Sequence, residues 1–329
     1  MNRRTCLLAT VLCLLCAAGA PGQDGVPQFG TRSIAACDGP TQACGVAVVS
    51  FPTGVPAVVP VGKPRIVVAN QASPLIDNAE RIVALIEGGA APEDALAEVL
   101  AGDAQREVRQ IGVAAIGSDD VIRVANFTGS FTTPQTCAVA GADFTVQANL
   151  QRTSLICQTM ADAFQKESAG FPNRLLAAMR AGAEAGGDSR GEFSAALVVF
   201  GQLPVAVRGF TRLSAFSAVN RSREWLPELE YNLKAYLAFW TLTDAADLIL
   251  LNPELILQIQ QALINLGFLS GAPNGVWTDA TELAWRAFQG RNLAFTQGTI
   301  VQGEDRLIDQ NRAFYLIEGE RRGVLRGPA

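Results

Sequence analysis

The chain has 329 residues, enough for more than one domain, and its 49% hydrophobic and 17% charged content is that of globular protein. A net charge of -5 with no Lys/Arg-rich cluster argues against a nucleic-acid partner, which needs a basic stripe to displace counterions. Histidine is absent, and that single fact removes Ser-His-Asp and Cys-His relays, histidine-ligated zinc and imidazole acid–base catalysis.

Residues 1–22 read as a secretory signal. Asn2-Arg3-Arg4 supplies the positive start, and the apolar run from Cys6 to Ala18 is too short to span a bilayer. Cleavage after Gly22, with Ala20 three residues back, leaves a mature chain expected in the periplasm or outside the cell, without a membrane span. Of seven cysteines, Cys6, Cys13 and Cys16 leave with the signal, and Cys37, Cys44, Cys137 and Cys157 remain. An even count in an exported chain suggests two disulfides, for which three connectivities exist. Cys37 and Cys44 flank the turn DGPTQA, so a hairpin staple is the natural pairing, leaving Cys137 with Cys157.

After a Gly/Pro-rich lead, apolar runs over 33–37 and 44–50 predict a β-hairpin, and β-branched runs over 55–61 and 65–69 predict further strands. Leu75, Ile76, Ala79, Ile82, Val83 and Ile86 then recur at helical spacing up to Gly88-Gly89. A second helix over 92–100 opens with Pro92 and an acidic first turn. Strands are predicted over 109–116, 121–127 and 144–149, helices over 154–166 and 172–185, and strands over 193–200 and 204–210. Hairpins alternating with helix pairs predict an α+β layering. A helix over 223–251 leads to a separate small all-α unit over 252–293, and the tail 294–329 carries mixed charge and weak periodicity. The expected domains are thus 31–212 and 252–293, joined by that helix.

Several blocks stand in order along the first unit: TRSIAACD at 31–38, GVAVVS at 45–50, AVVP at 57–60, NQA at 70–72, REVRQIGV at 106–113, FTG at 127–129, FTVQANL at 144–150 and AGGDSRGEFSAALVV at 185–199. Together they resemble domain-of-unknown-function family 1028, whose fold is that of the N-terminal-nucleophile (Ntn) hydrolases. The resemblance implies a four-layer αββα sandwich and says little about a reaction. The chain departs from the family pattern at Pro56 and Ala148, where glycine is usual, at Asn70 in place of threonine, and at Phe193 in place of glutamine. The second unit resembles the short peptidoglycan-binding module of cell-wall hydrolases through Ile259-Gln260, Leu263, Leu266-Gly267, Asn274-Gly275-Val276-Trp277, Thr281 and Phe288-Gln289. Peptidoglycan or its fragments are the partner this implies.

An Ntn hydrolase needs no histidine: the hydroxyl of the first residue attacks an amide, and that residue's own α-amine, titrating near about 7.7–8.0, takes the proton. Thr31 stands at the family's strand-opening threonine, and the mechanism requires a cut between Gly30 and Thr31. Left uncut, Thr31 is a β-prone residue entering a strand. For a live site, Asn70 and Gln71 at one strand end and Asn149 at another are expected as oxyanion donors. Lys63 is a candidate for lowering the amine's pKa, and Asp188 with Arg190 for an ion pair over the site. Ser33 and Ser50 either face the nucleophile or alternate outward. Neither a phosphate loop nor a dinucleotide fingerprint occurs, so no cofactor or metal is expected. The two functions compatible with this reading are an amidohydrolase acting on a wall fragment or small amide, and a non-catalytic wall-associated binding protein that retains the fold.

Overall fold

A computed structural model describes residues 30–132, 135–201 and 215–328. The signal segment expected over 1–22 and the strand expected over 204–210 lie outside the described residues. The elements of the first unit are β1 (Thr31–Asp38), β2 (Ala43–Ser50), α1 (Val55–Val58), β3 (Pro60–Lys63), β4 (Ile66–Ala72), α2 (Ile76–Glu87), α3 (Pro92–Ala101), β5 (Arg109–Ile116), β6 (Ile122–Thr128), β7 (Cys137–Ala140), β8 (Phe144–Asn149), α4 (Ile156–Lys166), α5 (Phe171–Glu184), β9 (Ser194–Phe200) and β10 (Ala215–Asn220). They form a six-stranded sheet in the order β10-β9-β2-β1-β8-β7 and a four-stranded sheet in the order β3-β4-β5-β6.

Strand parity sets the layers. Ala35, Cys37, Val46 and Val48 of the larger sheet meet Val67, Ala69, Ala114 and Ile116 of the smaller one, making an inter-sheet core. The opposite faces of the same strands bury Ile34, Ala36 and Val146 against Met160, Phe164, Leu175 and Met179 of α4 and α5. Ile66, Val68, Ile111 and Val113 pack under Ile82, Val83, Leu96 and Val99 of α2 and α3. The strands at the centre are covered on both faces, which is why they read as continuous apolar runs rather than alternating ones. Disulfides join Cys37 to Cys44 across the β1–β2 hairpin and Cys137 to Cys157 between β7 and α4.

Two segments differ from expectation here. The β-branched run over 55–61 is not one strand: Gly54, at φ 86°, turns the chain, and Pro56 in the first turn starts the single-turn α1 before β3 begins. The short β7, which the sequence reading omitted, pairs along the outer edge of β8.

Beyond β10 come α6 (Trp225–Trp240), β11 (Leu248–Leu250), α7 (Pro253–Asn265), α8 (Asp279–Asn292), β12 (Ile300–Gln302), β13 (Asp305–Asp309) and α9 (Gln310–Arg321). The helix expected to reach residue 251 stops at Trp240. Asp244 accepts the Ala246 N–H to cap a short turn, and β11 then pairs with β13 from the tail. In the C-terminal module, residues 252–293 hold only the helices α7 and α8, and outside those bounds β11, β13 and β12 form a three-stranded sheet beside them. The tail also completes its core: Ile308, Ala313 and Leu316 pack with Ile259, Leu263, Trp285 and Phe288. Inside the module, buried Gln260 accepts the N–H groups of Asn274 and Gly275 at 2.8 and 3.0 Å and so fixes the Asn-Gly turn, where Gly275 has φ 73°.

Candidate functional site

Thr31 opens β1 between two neighbours, opposite Ser50 of β2 and Asn149 of β8. Its side chain shares the parity of Ala35 and Cys37 and therefore points between the sheets. The Thr31 N–H donates to Asn149 Oδ1 at 3.2 Å, and its Oγ1 lies 2.8 Å from Ser50 Oγ. Ser50 in turn donates to the Gly30 carbonyl oxygen at 2.5 Å. A serine has one hydrogen to give, so Thr31 is the donor in the Thr31–Ser50 bond. The Phe51 N–H reaches the same carbonyl oxygen at 3.3 Å. Two donors thus converge on the carbonyl immediately before Thr31.

Beneath Thr31 lies a buried polar cluster supplied by both sheets. Ser33 donates to Gln71 Oε1 at 2.6 Å and accepts from Gln147 Nε2 at 2.6 Å. Gln71 Nε2 donates to Gln110 Oε1 at 2.7 Å, and Asn149 Nδ2 reaches that same oxygen at 2.9 Å. Room for Gln147 comes from Gly112 on β5, where a Cβ would collide with the Gln147 amide. Two non-glycine residues with left-handed backbones follow the cluster's strand ends: Ala72 (φ 67°) after Gln71 and Leu150 (φ 55°) after Asn149. Such conformations cost about 1–3 kcal/mol and gather at functional sites.

Asp188 and Arg190 form a bidentate pair, with Arg190 Nη2 donating to Asp188 Oδ2 at 2.9 Å and Nε to Oδ1 at 3.1 Å. The pair lies against Gly30, where any Cβ would strike both side chains. The Arg190 guanidinium also sits 4.7 Å over the Phe51 ring, which meets Phe193 edge-on at 5.6 Å. The loop is anchored from below by Glu192, which accepts the Asp188 N–H at 3.0 Å and pairs with buried Arg32. Burial pulls the Arg32 pKa down to about 9, opposed by the charge of Asp188.

Of the expected site residues, Thr31, Gln71, Asn149, Asp188 and Arg190 come together, and both Ser33 and Ser50 face inward. Asn70 does not join them: on β4 it shares the parity of Ile66 and Val68, toward α2 and α3, and its amide has no hydrogen-bond partner among the described residues. The amides of Gln71 and Asn149 both donate to Gln110 Oε1 within the cluster. Lys63 is exposed at the edge of the smaller sheet and pairs with Glu87 at 2.6 Å. Gln110 and Gln147, which sequence reasoning does not single out, join the cluster from β5 and β8, each two residues from another inward-facing position, Gly112 and Asn149. A cavity of about 230 Å³ opens at this point, lined by Thr31, Ser50 and Gln71 with the apolar Val55, Val59 and Ala72.

The first unit is therefore a layered α+β domain with a strand-opening threonine in a polar cluster beside a small, largely apolar cavity. Residues 31–215 match the model of a family of unknown function, DUF1028, and the chain belongs to that family. Residues 252–292 match a peptidoglycan-binding domain. The crystal structure of a DUF1028 protein from Silicibacter pomeroyi is similar, with 27% sequence identity and a TM-score of 0.53 over 61% of this chain and 86% of that one. No curated protein matches the chain. Among the described residues no helix is long and apolar enough to cross a membrane.

Proposed function

We propose that this protein is a wall-associated, exported amidohydrolase whose first domain is an Ntn-type sandwich and whose nucleophile is Thr31, released by a cut at Gly30–Thr31. The observation that carries the proposal is the pair of donors, Ser50 O–H and Phe51 N–H, on the Gly30 carbonyl oxygen, with Thr31 Oγ1 hydrogen-bonded to the same serine. Attack of Thr31 Oγ1 on the Gly30 carbonyl carbon places negative charge on an oxygen already held by donors. Ser50 accepts the threonine proton as it hands its own to that oxygen. The hydroxyl on the former carbonyl carbon then re-forms C=O as the C–N bond breaks, its proton passing to the nitrogen, which becomes the α-amine; water hydrolyses the resulting ester to a Gly30 carboxylate and a free Thr31 hydroxyl.

In the matured site Asn149 Oδ1 holds the new amine and orients it toward Thr31 Oγ1. That amine is the base for attack on a substrate amide entering the 230 Å³ cavity, whose walls favour a small, largely apolar acyl group. The peptidoglycan-binding domain supports a location at the wall. A second reading, a non-catalytic wall-binding protein, is favoured by the engagement of the Gln71 and Asn149 amides within the cluster. Intact mass and N-terminal sequencing of the exported protein separate the two. A chain starting at Thr31 is expected; one starting near Gln23 with the Gly30–Thr31 bond intact sinks the threonine mechanism.

A further inference from the structure

A second cavity, of about 380 Å³, lies where the first domain meets the C-terminal unit, between α5 and α6 on one side and α7 and α9 on the other. Its apolar wall includes Leu176, Ile249, Phe314 and Ile317, and the Lys234 side chain enters it from α6. Lys234 is 7% exposed, a burial that an ammonium rarely tolerates without a carboxylate beside it. Among the described residues no carboxylate stands within ion-pair distance of it. The other cations of the wall have theirs: Arg180 pairs with Glu230 at 2.6 Å, and Arg321 with Glu318 at 3.8 Å.

What Lys234 does have is three neutral amide oxygens, of Asn173 at 3.3 Å and of Gln310 and Asn311 at 3.5 Å. These are long, since an ammonium on an anionic oxygen sits at about 2.7–2.9 Å. The same three amides donate tightly on their other side, to Asp247, at 2.8, 3.0 and 2.9 Å. Asp247 therefore fixes the amides, while Lys234 is held by long bonds at the cavity wall, 5.4 Å from the Phe314 ring. Burial lowers the Lys234 pKa, partly opposed by the charges of Glu230 and Asp247, and an entering anion opposes it further.

We infer that this interdomain cavity is a binding site for a small carboxylate with an apolar body, of the size of an amino acid or dipeptide, whose carboxylate pairs with Lys234. The volume suits a ligand of that size. The wall is mixed, with Glu167, Glu230, Glu318, Arg180 and Arg321 beside the apolar residues, and Lys234 is the lining cation without a carboxylate at ion-pair distance among the described residues. The site is separate from Thr31 and does not depend on whether Thr31 is a nucleophile.

The test is calorimetric titration of the full exported chain with N-acetyl-alanyl-alanine and, separately, with its C-terminal amide. Saturable binding of the acid, at least ten-fold weaker for the amide and lost in Lys234→Met, is expected. Failure of the acid to bind at millimolar concentration, or equal binding of acid and amide, overturns the inference on the unaltered protein, whatever the fate of the variant. Acid-selective binding that persists in a folded Lys234→Met places the ligand elsewhere and overturns it too.

Discussion

Replacing Gly112 by alanine tests whether the polar cluster under Thr31 is as tightly constrained as its geometry states. Gly112 sits in the middle of β5, paired with Ala69 and Asn126, and a methyl group there meets the Gln147 side-chain amide. The backbone cannot retreat because it is hydrogen-bonded on both sides, so the amide must swing away. That breaks its 2.6 Å bond to Ser33 and its 3.3 Å contact with Thr145, all three residues being fully buried. Each buried group left unsatisfied costs about 1–3 kcal/mol, offset by about 0.4–1 kcal/mol from the stiffer unfolded chain that alanine gives. The net loss is about 2–3 kcal/mol. Urea unfolding of the full chain with its disulfides intact measures it as a lower midpoint of the first domain. The double substitution Gly112→Ala with Gln147→Ala removes the colliding amide and lets the new methyl fill part of its space. The double variant is therefore more stable than the sum of the two single losses predicts, by at least about 1 kcal/mol. Additivity within about 0.5 kcal/mol, the behaviour of independent sites, refutes the reasoning.

Ser50→Ala removes one of the two donors on the Gly30 carbonyl and is expected to slow the proposed Gly30–Thr31 cut by about 10²–10³-fold, followed by mass spectrometry of the refolding chain. Thr31→Ala abolishes the cut, and Thr31→Ser keeps it. Asp103 accepts from Arg109 Nε at 2.8 Å, and this hydrogen bond holds its carboxyl below the ordinary carboxylate value. Its contribution to stability is present above its unfolded pKa and is lost as pH falls through the lower folded value, so Asp103→Asn flattens the acid limb of a stability–pH curve. A chain ending at residue 293 lacks Ile308, Ala313 and Leu316 of the module core, and is expected to lose retention on purified sacculi together with the module's cooperative unfolding. Unchanged retention shows that the module stands without its tail.

The hairpin, the paired helices and the central strands were legible because each depends on local pattern: apolar runs, helical spacing, and Pro or Gly at the ends. What escaped depends on partners distant in sequence. Ile249 and Leu250 continue an apolar helical stripe on paper, yet they are claimed by β13, a strand from the tail about sixty residues on. The site shows the same division. Thr31, Asn149 and the Asp188–Arg190 pair were found from strand ends and a glycine-rich loop. The choice between Asn70 and Gln71 needed strand parity, and β4 hides its parity because both of its faces are buried. The cluster members Gln110 and Gln147 carry no motif; only the stacking of one sheet on the other brings them together.

The burial of Gly30 limits what could perform the proposed cut. Gly30 and Thr31 are both sealed from solvent, the first beneath the Asp188–Arg190 clasp and the second between β2 and β8. Foreign proteases take exposed, yielding chain, which this bond is not once β1 has paired. The proposed cut is then a matter of timing: an outside enzyme would have only the interval before the first sheet closes, and afterward only the chain's own hydroxyls would be within reach.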